Sequence, residues 1–305
     1  MKKALIAIIG LFLLILSACG SSEESTASGN EKETNETFTY QSETGPVEVP
    51  TDPKRVVVLA SYAGDVLSLG VNIVGVDQWA KSSPVLADGL KDAETVSEED
   101  VEKILELKPD LIIAADTTKN LDKFKEIAPT VTYTYNKVDY LTQHVEIGKL
   151  LNKGDEAQQW VDDFKERAKT TGDEIKAKIG EDATVTVMES YEKGMGVLGD
   201  SWGRGTEVLY QAMGLSMPDK VKEMTEKDGY TMISSEVLPE YVGDYLVISE
   251  YSDQDNSYQE TEMFKEIPAV KEGHVLTADA NAFLFNDALT LDYQLDFFEE
   301  QFLKQ

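Results

Sequence analysis

The chain has 305 residues, with 57 acidic against 28 basic side chains and a formal net charge of −29 at pH 7. This charge argues against binding to nucleic acid and against adhesion to anionic lipid. The single cysteine excludes an internal disulfide, and two histidines are too few for a zinc or manganese site built from several histidine ligands.

Residues 1–18 have the pattern of a secretory signal. Lys2 and Lys3 precede an apolar run from Ala4 to Leu16, which is shorter than the ~20 residues that a spanning helix needs. The following Leu16-Ser17-Ala18-Cys19 resembles a bacterial lipobox, which predicts cleavage before Cys19 and attachment of a diacylglycerol to its thiol. Two acyl chains suffice for stable anchoring. The alternative is an ordinary signal whose cleavage site contains a cysteine by chance.

The segment after the signal predicts a flexible, lipid-anchored tether over residues 19–44. Gly20 to about Glu36 consists of polar and small residues without apolar periodicity, and such a segment cannot bury enough surface to fold. The rest of the chain is longer than one compact core usually serves. We therefore expect an N-terminal lobe over 45–153 and a C-terminal lobe over 181–305.

Short apolar, β-branched runs alternate with helical patterns in both halves, which predicts an α/β lobe with a parallel sheet in each half. The runs are Arg55–Leu59, Ile73–Val76, Leu111–Ala114 and Val131–Tyr135, then Thr184–Met188, Gly196–Leu198, Tyr245–Ser249 and His274–Thr277.

One long helix is predicted between the lobes, over 154–180. Asp155 to Ile179 lies between two glycines and places its apolar residues on one helical face. Such a helix would be about 37 Å long. A single helix of this length would join the lobes stiffly, whereas several loop crossings would permit a wide hinge.

The two halves share a spacing of acidic residues. Glu102 precedes Asp110 by eight residues and Glu236 precedes Asp244 by eight, and each aspartate stands just before a predicted strand. This spacing places one glutamate on each lobe in comparable surroundings. A solvated helix face is the alternative interpretation of both residues.

The segment Gly199-Asp200-Ser201-Trp202-Gly203 matches the G-x-S-x-G nucleophile elbow, which would make Ser201 a nucleophile with His274 available downstream. Against an esterase, Gly203-Arg204-Gly205 puts a flexible turn before the next helix, and the sequence has no HGGG-like oxyanion loop. As a binding loop, the segment offers the broad face of Trp202 and the charged donor fork of Arg204. Alternatively, Trp202 is a core residue and Arg204 an ion-pair partner.

From about Val56 to the C-terminus the sequence resembles the FhuD-like ferric hydroxamate siderophore-binding lipoproteins. The most specific segment is Gly199-Asp200-Ser201-Trp202-Gly203-Arg204-Gly205-Thr206-Glu207-Val208-Leu209-Tyr210-Gln211-Ala212, with support from Ala128-Pro129-Thr130-Val131 and Asn286-Asp287. The resemblance implies the class III periplasmic-binding-protein fold: two Rossmann-like lobes with parallel central sheets, joined by one long rigid helix around a shallow cleft.

The resemblance also implies positions for the ligand-binding residues. Trp202 and Arg204 would line the C-terminal wall of the cleft, and Arg204 would contact the hydroxamate oxygens. Candidates on the N-terminal wall are Tyr62, Trp79 and Tyr135, with core packing as the alternative for Trp79. The candidates that pack against the chelator arms are Phe283 and Phe285. Gly196 and Phe285 replace expected pocket tyrosines and Ala115 replaces an expected aromatic, which predicts a roomier and less polar pocket.

The arginine content bears on the charge of the ligand. Of the three arginines Arg55, Arg167 and Arg204, only the last is expected in the cleft. A ferric tris-catecholate carries about three negative charges and would need several cations around it, since buried charge must be paired. Lysines could substitute, so a catecholate stays open as an alternative.

The function implied is that of a binding protein for ferric hydroxamates of the ferrioxamine or ferrichrome type, which delivers them to a homodimeric or heterodimeric ABC permease with a cytoplasmic ATPase. Glu102 and Glu236 would dock onto arginines of the permease. The siderophore itself would hold the iron, so no metal ligand, cofactor or catalytic residue is expected.

We expect a monomer, lipid-anchored at the extracellular face of a Gram-positive cell membrane. The alternatives are a binding protein for another iron chelate (catecholate, mixed siderophore or haem), a surface esterase using Ser201, and an adhesion module.

Overall fold

The computed structural model describes residues 36–191 and 194–304. The predicted signal, the lipidation site at Cys19 and most of the predicted tether lie outside the described residues. Within the described part of the chain, no helix combines the length and apolar character needed to cross a membrane.

Strands and helices alternate along the chain. The strands are β1 (Thr37–Ser42), β2 (Gly45–Pro50), β3 (Val56–Leu59), β4 (Ile73–Val76), β5 (Glu94–Thr95), β6 (Leu111–Ala115), β7 (Thr130–Tyr133), β8 (Val185–Tyr191), β9 (Gly194–Leu198), β10 (Tyr230–Ile233), β11 (Tyr245–Glu250) and β12 (Val275–Asp279). The α-helices are α1 (Ala63–Ser68), α2 (Gln78–Ser82), α3 (Ala87–Leu90), α4 (Val101–Glu106), α5 (Leu121–Ile127), α6 (Tyr140–Leu150), α7 (Gly154–Ile179), α8 (Asp219–Thr225), α9 (Glu262–Lys265), α10 (Pro268–Lys271), α11 (Ala280–Phe283) and α12 (Ala288–Leu303). A π-helix covers Glu207–Ala212, and 3-10 helices cover Ser235–Glu240 and Ser257–Glu260.

Two five-stranded sheets form the centres of the two lobes, as predicted. The first has the order β5-β4-β3-β6-β7 with all strands parallel, and the second has the order β10-β9-β8-β11-β12. The residues of β3 are all buried, as expected for a strand covered by helices on both faces. In the second sheet β8, β11 and β12 are parallel, but β9 runs antiparallel to both of its neighbours. Only two residues separate β8 from β9 in the sequence, and so short a connection permits only an antiparallel pair.

The predicted end of the tether, at residue 44, is wrong, because β1 already begins at Thr37. Residues 37–42 form β1, which pairs with β2 as an antiparallel hairpin. The hydroxyl of Tyr40 lies 3.1 Å from that of Tyr133 in the first lobe, and Val49 is fully buried. The prediction was wrong over this segment because the alternation at Phe38 and Tyr40 is too short to stand out beside the polar residues before it.

The acidic spacing seen in the sequence corresponds to a structural repeat. In the first lobe, the carboxylate of Asp110 accepts the N–H groups of Lys54 at 2.7 Å and Arg55 at 2.9 Å, just before β3. In the second lobe, Asp244 accepts the N–H of Thr184 at 2.8 Å, just before β8. Each aspartate therefore fixes the start of the central strand of its sheet from the neighbouring strand.

Helix α7 lies between the two lobes in the chain and packs closely against its neighbours. A Cβ at Gly172 would lie 2.2 Å from the carbonyl oxygen of Met213, so only glycine permits this approach. The indole of Trp160 donates to Asp292 of α12 at 2.9 Å, and Arg167 pairs with the same carboxylate at 2.8 Å. These contacts hold α7 against α12 between Trp160 and Arg167.

A buried polar cluster joins the first lobe to the start of α12. Asp65 Oδ1 lies 2.9 Å from Nδ1 of His144 and accepts the N–H of Ala288 at 3.0 Å. Asp287 accepts the N–H of Gly64 at 3.3 Å. Each of Asp65, His144 and Asp287 is at most 3% exposed. A Cβ at Gly64 would lie 1.9 Å from Asp287, so the glycine allows the two helices to meet.

This cluster makes the stability of the protein depend on pH. Burial and the nearby charge of Asp65 raise the pKa of Asp287 to about 7, far above its ordinary value. Between about pH 4 and pH 7 the carboxyl group of Asp287 is therefore protonated in the folded state and ionised in the unfolded state. The free energy of unfolding falls as pH rises through this range. Asp287→Asn should keep an acceptor for the N–H of Thr290 and remove this titration.

We expect the free energy of unfolding of the wild type to fall by about 2 kcal/mol more than that of Asp287→Asn between pH 5 and pH 8. Urea titrations at the two pH values measure this difference. Asp88→Asn, which removes an exposed carboxylate of α3, is the control for the overall charge. Equal pH dependence of Asp287→Asn and the wild type would contradict the prediction.

Candidate functional site

A cleft of about 1290 Å³ lies between the two lobes. It opens at the carboxyl ends of the parallel strands, because its walls include the residues at or just after β3, β4, β5, β8, β11 and β12. This is where ligands bind in open α/β sheets. The lining residues are Leu59, Ala60, Ser61, Asp77, Gln78, Trp79, Thr95, Val96, Ser97, Glu98, Asp100, Tyr135, Glu189, Tyr191, Trp202, Gly203, Arg204, Tyr251, Asp253, Gln254, Asn281, Leu284, Phe285 and Asn286.

The loop at Trp202 to Gly205 has a fixed and unusual backbone. Gly203, Arg204 and Gly205 have successive φ angles of 68°, 57° and 85°. A left-handed arginine is costly and persists only where its surroundings hold it. Here the N–H of Arg204 donates to the carbonyl oxygen of Phe283 at 2.8 Å, and the N–H of Trp202 donates to the hydroxyl of Thr206 at 3.0 Å. The loop thus presents Trp202 and Arg204 to the cleft in one orientation.

Arg204 lines the cleft and is also an ion-pair partner. Its Nε donates to Oε2 of Glu189 at 2.8 Å and its Nη2 donates to Oε1 at 3.3 Å. Glu189 is fully buried and also accepts the hydroxyl of Ser249 at 2.8 Å. Burial lowers the pKa of Arg204, but the bonds to Glu189 more than offset this, so the pKa lies above its ordinary value. The cleft therefore contains a guanidinium whose charge is already compensated.

Two tyrosines that sequence reasoning missed lie in the C-terminal wall. Tyr191 ends β8 and its ring covers Gly196, where a Cβ would lie 2.5 Å from the ring. Tyr251 follows β11. Burial and the carboxylate of Glu189 raise the pKa of both phenols, which keeps them protonated as hydroxyl donors. The expectation that Gly196 leaves a less polar wall is wrong, because the small residue makes room for Tyr191.

The N-terminal wall carries two aromatic side chains that are largely exposed. Trp79 on α2 is 65% exposed, and Tyr135, just after β7, is 54% exposed. Both line the cleft, so their exposed faces are available to pack against a ligand. Trp202, on the other wall, is half-buried and packs against Tyr230 with ring centroids 4.4 Å apart. Aromatic faces are thus available on both sides of the cleft.

Three further candidates lie at or below the floor of the cleft. Tyr62 is buried, with its ring edge-on to Tyr133 at 5.4 Å, and Phe283 is fully buried against Phe298. Neither lines the cleft, and we correct both assignments: each lies close in sequence to cleft residues but points into a hydrophobic core. Phe285 packs in the core of the first lobe and contributes its remaining surface to the floor of the cleft.

The charged residues of the cleft are mostly acidic. Arg204 is the one cation among the described residues that line it, and it is paired with Glu189. The remaining lining charges are Asp77, Glu98, Asp100 and Asp253. No group of three metal-ligating side chains occurs within residues 36–191 and 194–304.

Ser201 and His274 have separate partners. The hydroxyl of Ser201 lies 3.2 Å from the carboxylate of Asp200. His274 stacks on Tyr245 at 4.3 Å and its Nδ1 lies 3.1 Å from the carbonyl oxygen of Asp244, before the start of β12. No hydrogen bond joins the serine to the histidine in the described structure, so the arrangement needed for nucleophilic catalysis is not formed.

Glu102 and Glu236 occupy equivalent places in the two lobes. Glu102 lies in the first turn of α4, which follows β5, and Glu236 lies in the 3-10 helix that follows β10. Strands β5 and β10 are the corresponding edge strands of their sheets, and both glutamates are exposed. The two glutamates are thus exposed at equivalent positions, one on each lobe.

Comparison with known proteins identifies the family. The model of the periplasmic binding protein family matches residues 56–282. The iron(3+)-hydroxamate-binding protein FhuD of Bacillus subtilis is 35% identical over 301 residues, covering 96% of this chain and 95% of the relative. A probable siderophore-binding lipoprotein of the same organism, YfiY, is 29% identical and covers 100% of this chain and 99% of the relative.

Solved structures agree with this assignment. FhuD2 of Staphylococcus aureus with bound ferrioxamine B is 40% identical and superposes with a TM-score of 0.78, covering 83% of this chain and 99% of that one. The family match, the full-length relatives and the shared fold lead to one conclusion. This chain belongs to the periplasmic binding protein family, in which proteins bind a transported solute between two lobes.

Proposed function

We propose that this chain is the substrate-binding lipoprotein of an ABC transporter for ferric hydroxamate siderophores of the ferrioxamine or ferrichrome type. The observation that carries the proposal is the cleft itself, in which Trp202 and Arg204 are held by a fixed loop opposite exposed aromatic side chains of the other lobe. The similarity to relatives named for ferric hydroxamates and to a structure with ferrioxamine B supports it.

The protein binds the chelate and makes no bond to the iron. A hexadentate siderophore fills the coordination sphere of the metal and presents oxygens and apolar arms. Trp79, Tyr135 and Trp202 offer faces for the arms, while Arg204 and Tyr191 offer donors for the oxygens. No cofactor and no catalytic step are part of the proposal.

The charges of the cleft favour a hydroxamate over a catecholate. A ferric tris-catecholate brings about three negative charges, which would need unpaired cations in the cleft. Arg204 is already paired with Glu189, and the other charged lining residues are acidic. A neutral or cationic hydroxamate chelate meets no such repulsion.

Delivery to the membrane completes the proposed role. Cys19 would carry the lipid and hold the protein at the extracellular face of the membrane. Glu102 and Glu236 would bind arginines on the two halves of a homodimeric or heterodimeric permease, which a cytoplasmic ATPase drives. Their equivalent and exposed positions on the two lobes support one contact per permease half. The working unit is a monomer, with one cleft between the lobes of one chain.

Arg204→Ala should weaken binding of ferrioxamine B by about 1–3 kcal/mol, the usual range for a hydrogen bond from a charged group. This corresponds to about 5- to 150-fold in dissociation constant, measured by quenching of tryptophan fluorescence. Arg167→Ala, which removes an arginine of α7 outside the cleft, is the matched control and should bind as the wild type does.

The same titration with a ferric tris-catecholate and with haem tests the alternative ligands. Saturable binding of the catecholate alone would contradict the hydroxamate proposal. Unchanged affinity of Arg204→Ala for ferrioxamine B would place the site elsewhere in the molecule.

Replacement of both docking residues should separate uptake from binding. We expect the double variant Glu102→Ala, Glu236→Ala to lose uptake of iron from ferrioxamine B in cells and to keep its affinity for the chelate. Radioactive iron uptake and fluorescence titration measure the two properties. The double variant Glu106→Ala, Glu240→Ala, which removes exposed glutamates of the same two helices, is the control. Normal uptake by the first variant would show that neither glutamate is needed for docking.

A further inference from the structure

A buried carboxylate supports the floor of the cleft. Glu207 is the first residue of the π-helix and is 2% exposed. Its two carboxylate oxygens accept the N–H of Gly203, each at 3.1 Å, and one of them lies 3.0 Å from the hydroxyl of Thr206. The side-chain nitrogen of Asn286 donates to Oε1 at 3.0 Å. Glu207 therefore connects the Trp202–Arg204 loop to the segment that leads into α12.

The carboxylate fixes the orientation of the Asn286 amide. Nδ2 of Asn286 is the atom that lies 3.0 Å from Oε1, so the NH₂ group of Asn286 faces Glu207. Burial raises the pKa of Glu207, and the bonds from Gly203 and Asn286 offset this only in part, so the pKa lies above its ordinary value. The amide oxygen, Oδ1, then lies on the opposite branch of the side chain.

This oxygen is free to accept a hydrogen bond. Asn286 is half-buried and lines the cleft, and within the described residues its Oδ1 neither accepts a hydrogen bond nor belongs to the buried polar atoms that lack a partner. Of the nearby polar side chains of the C-terminal wall, Arg204 only donates, while the hydroxyls of Tyr191 and Tyr251 can donate to ligand oxygens and can also accept. Asn286 adds an uncharged acceptor beside them, which suits a ligand N–H.

We propose that Asn286, oriented by Glu207, accepts a hydrogen bond from a secondary amide N–H of the bound chelate, so that the protein prefers hydroxamates linked by amides. Glu207 is then a positioning residue for both the amide of Asn286 and the N–H of Gly203. The proposal rests on the proposed function. It concerns the amide groups that link the hydroxamates, which do not bind the iron.

The test compares two chelates that differ only at the linking groups. Ferrioxamine B supplies amide N–H groups, and an analogue with each amide replaced by an ester keeps the hydroxamates and the iron but lacks those donors. We expect the wild-type, full-length protein to bind ferrioxamine B about 5- to 30-fold more tightly than the ester analogue, as for one lost hydrogen bond. Titration of tryptophan fluorescence gives both dissociation constants.

In Asn286→Leu the preference should fall to less than about twofold, since a side chain of similar size no longer accepts the amide. Asn281→Leu is the matched control, because Asn281 also lines the cleft but does not contact Glu207 in the described structure, and it should keep the full preference. Glu207→Gln should reduce the preference as well, because a glutamine can turn its own NH₂ toward Asn286 and reverse that amide. Circular dichroism and thermal unfolding identify any variant that fails to fold.

The ratio of the two dissociation constants decides the outcome. A wild type that binds both chelates equally, or an Asn286→Leu variant that keeps the preference, overturns the inference while leaving the proposed function intact. If the wild type binds neither chelate, the proposed function fails and the inference fails with it.

Discussion

The contact between the start of α1 and the start of α12 determines how the two lobes are joined. There the buried Asp65 accepts the N–H of Ala288, and the buried Asp287 accepts the N–H of Gly64. The lack of a side chain at Gly64 allows the close approach. Buried carboxylates are stable only when their partners are in place. Since Phe285 and Asn286 precede Asp287 directly, the contact that joins the lobes also places the floor of the cleft.

A second set of contacts limits how far the lobes can move apart. Helix α7 connects them, and α12 is tied to α7 through the bonds of Trp160 and Arg167 to Asp292. The hinge is thus a packed helical layer, where most motion would break buried contacts. A cleft whose walls are positioned before the ligand arrives loses less conformational entropy on binding than one whose walls must first be ordered.

The sequence predicted the features that depend on local pattern. The buried strands, the long helix and the repeat around Asp110 and Asp244 all follow from apolar periodicity or fixed spacing. It did not predict the direction of β9, because strand pattern carries no information on which neighbour a strand pairs with. Two side-chain assignments, those of Tyr62 and Phe283, were wrong. Both residues have suitable chemistry and lie near the cleft, but sequence does not show that their side chains pack into a hydrophobic core. The role of Tyr191 in the cleft wall depends on the pairing of β8 with β9, which places Gly196 near the end of β8 and leaves room for the tyrosine ring.

The pairing of Arg204 with Glu189 changes what recognition in this cleft means. A free arginine would select anionic ligands by charge, whereas a compensated arginine acts as a directed donor with little net charge. Phenols held in the protonated form and an oriented asparagine amide are likewise neutral partners. In the proposed function, selectivity then depends on the positions of donors, acceptors and aromatic faces, and the acidic residues around them would repel anionic chelates. This arrangement suits a protein of strongly negative net charge that must distinguish among iron chelates presenting similar oxygen surfaces.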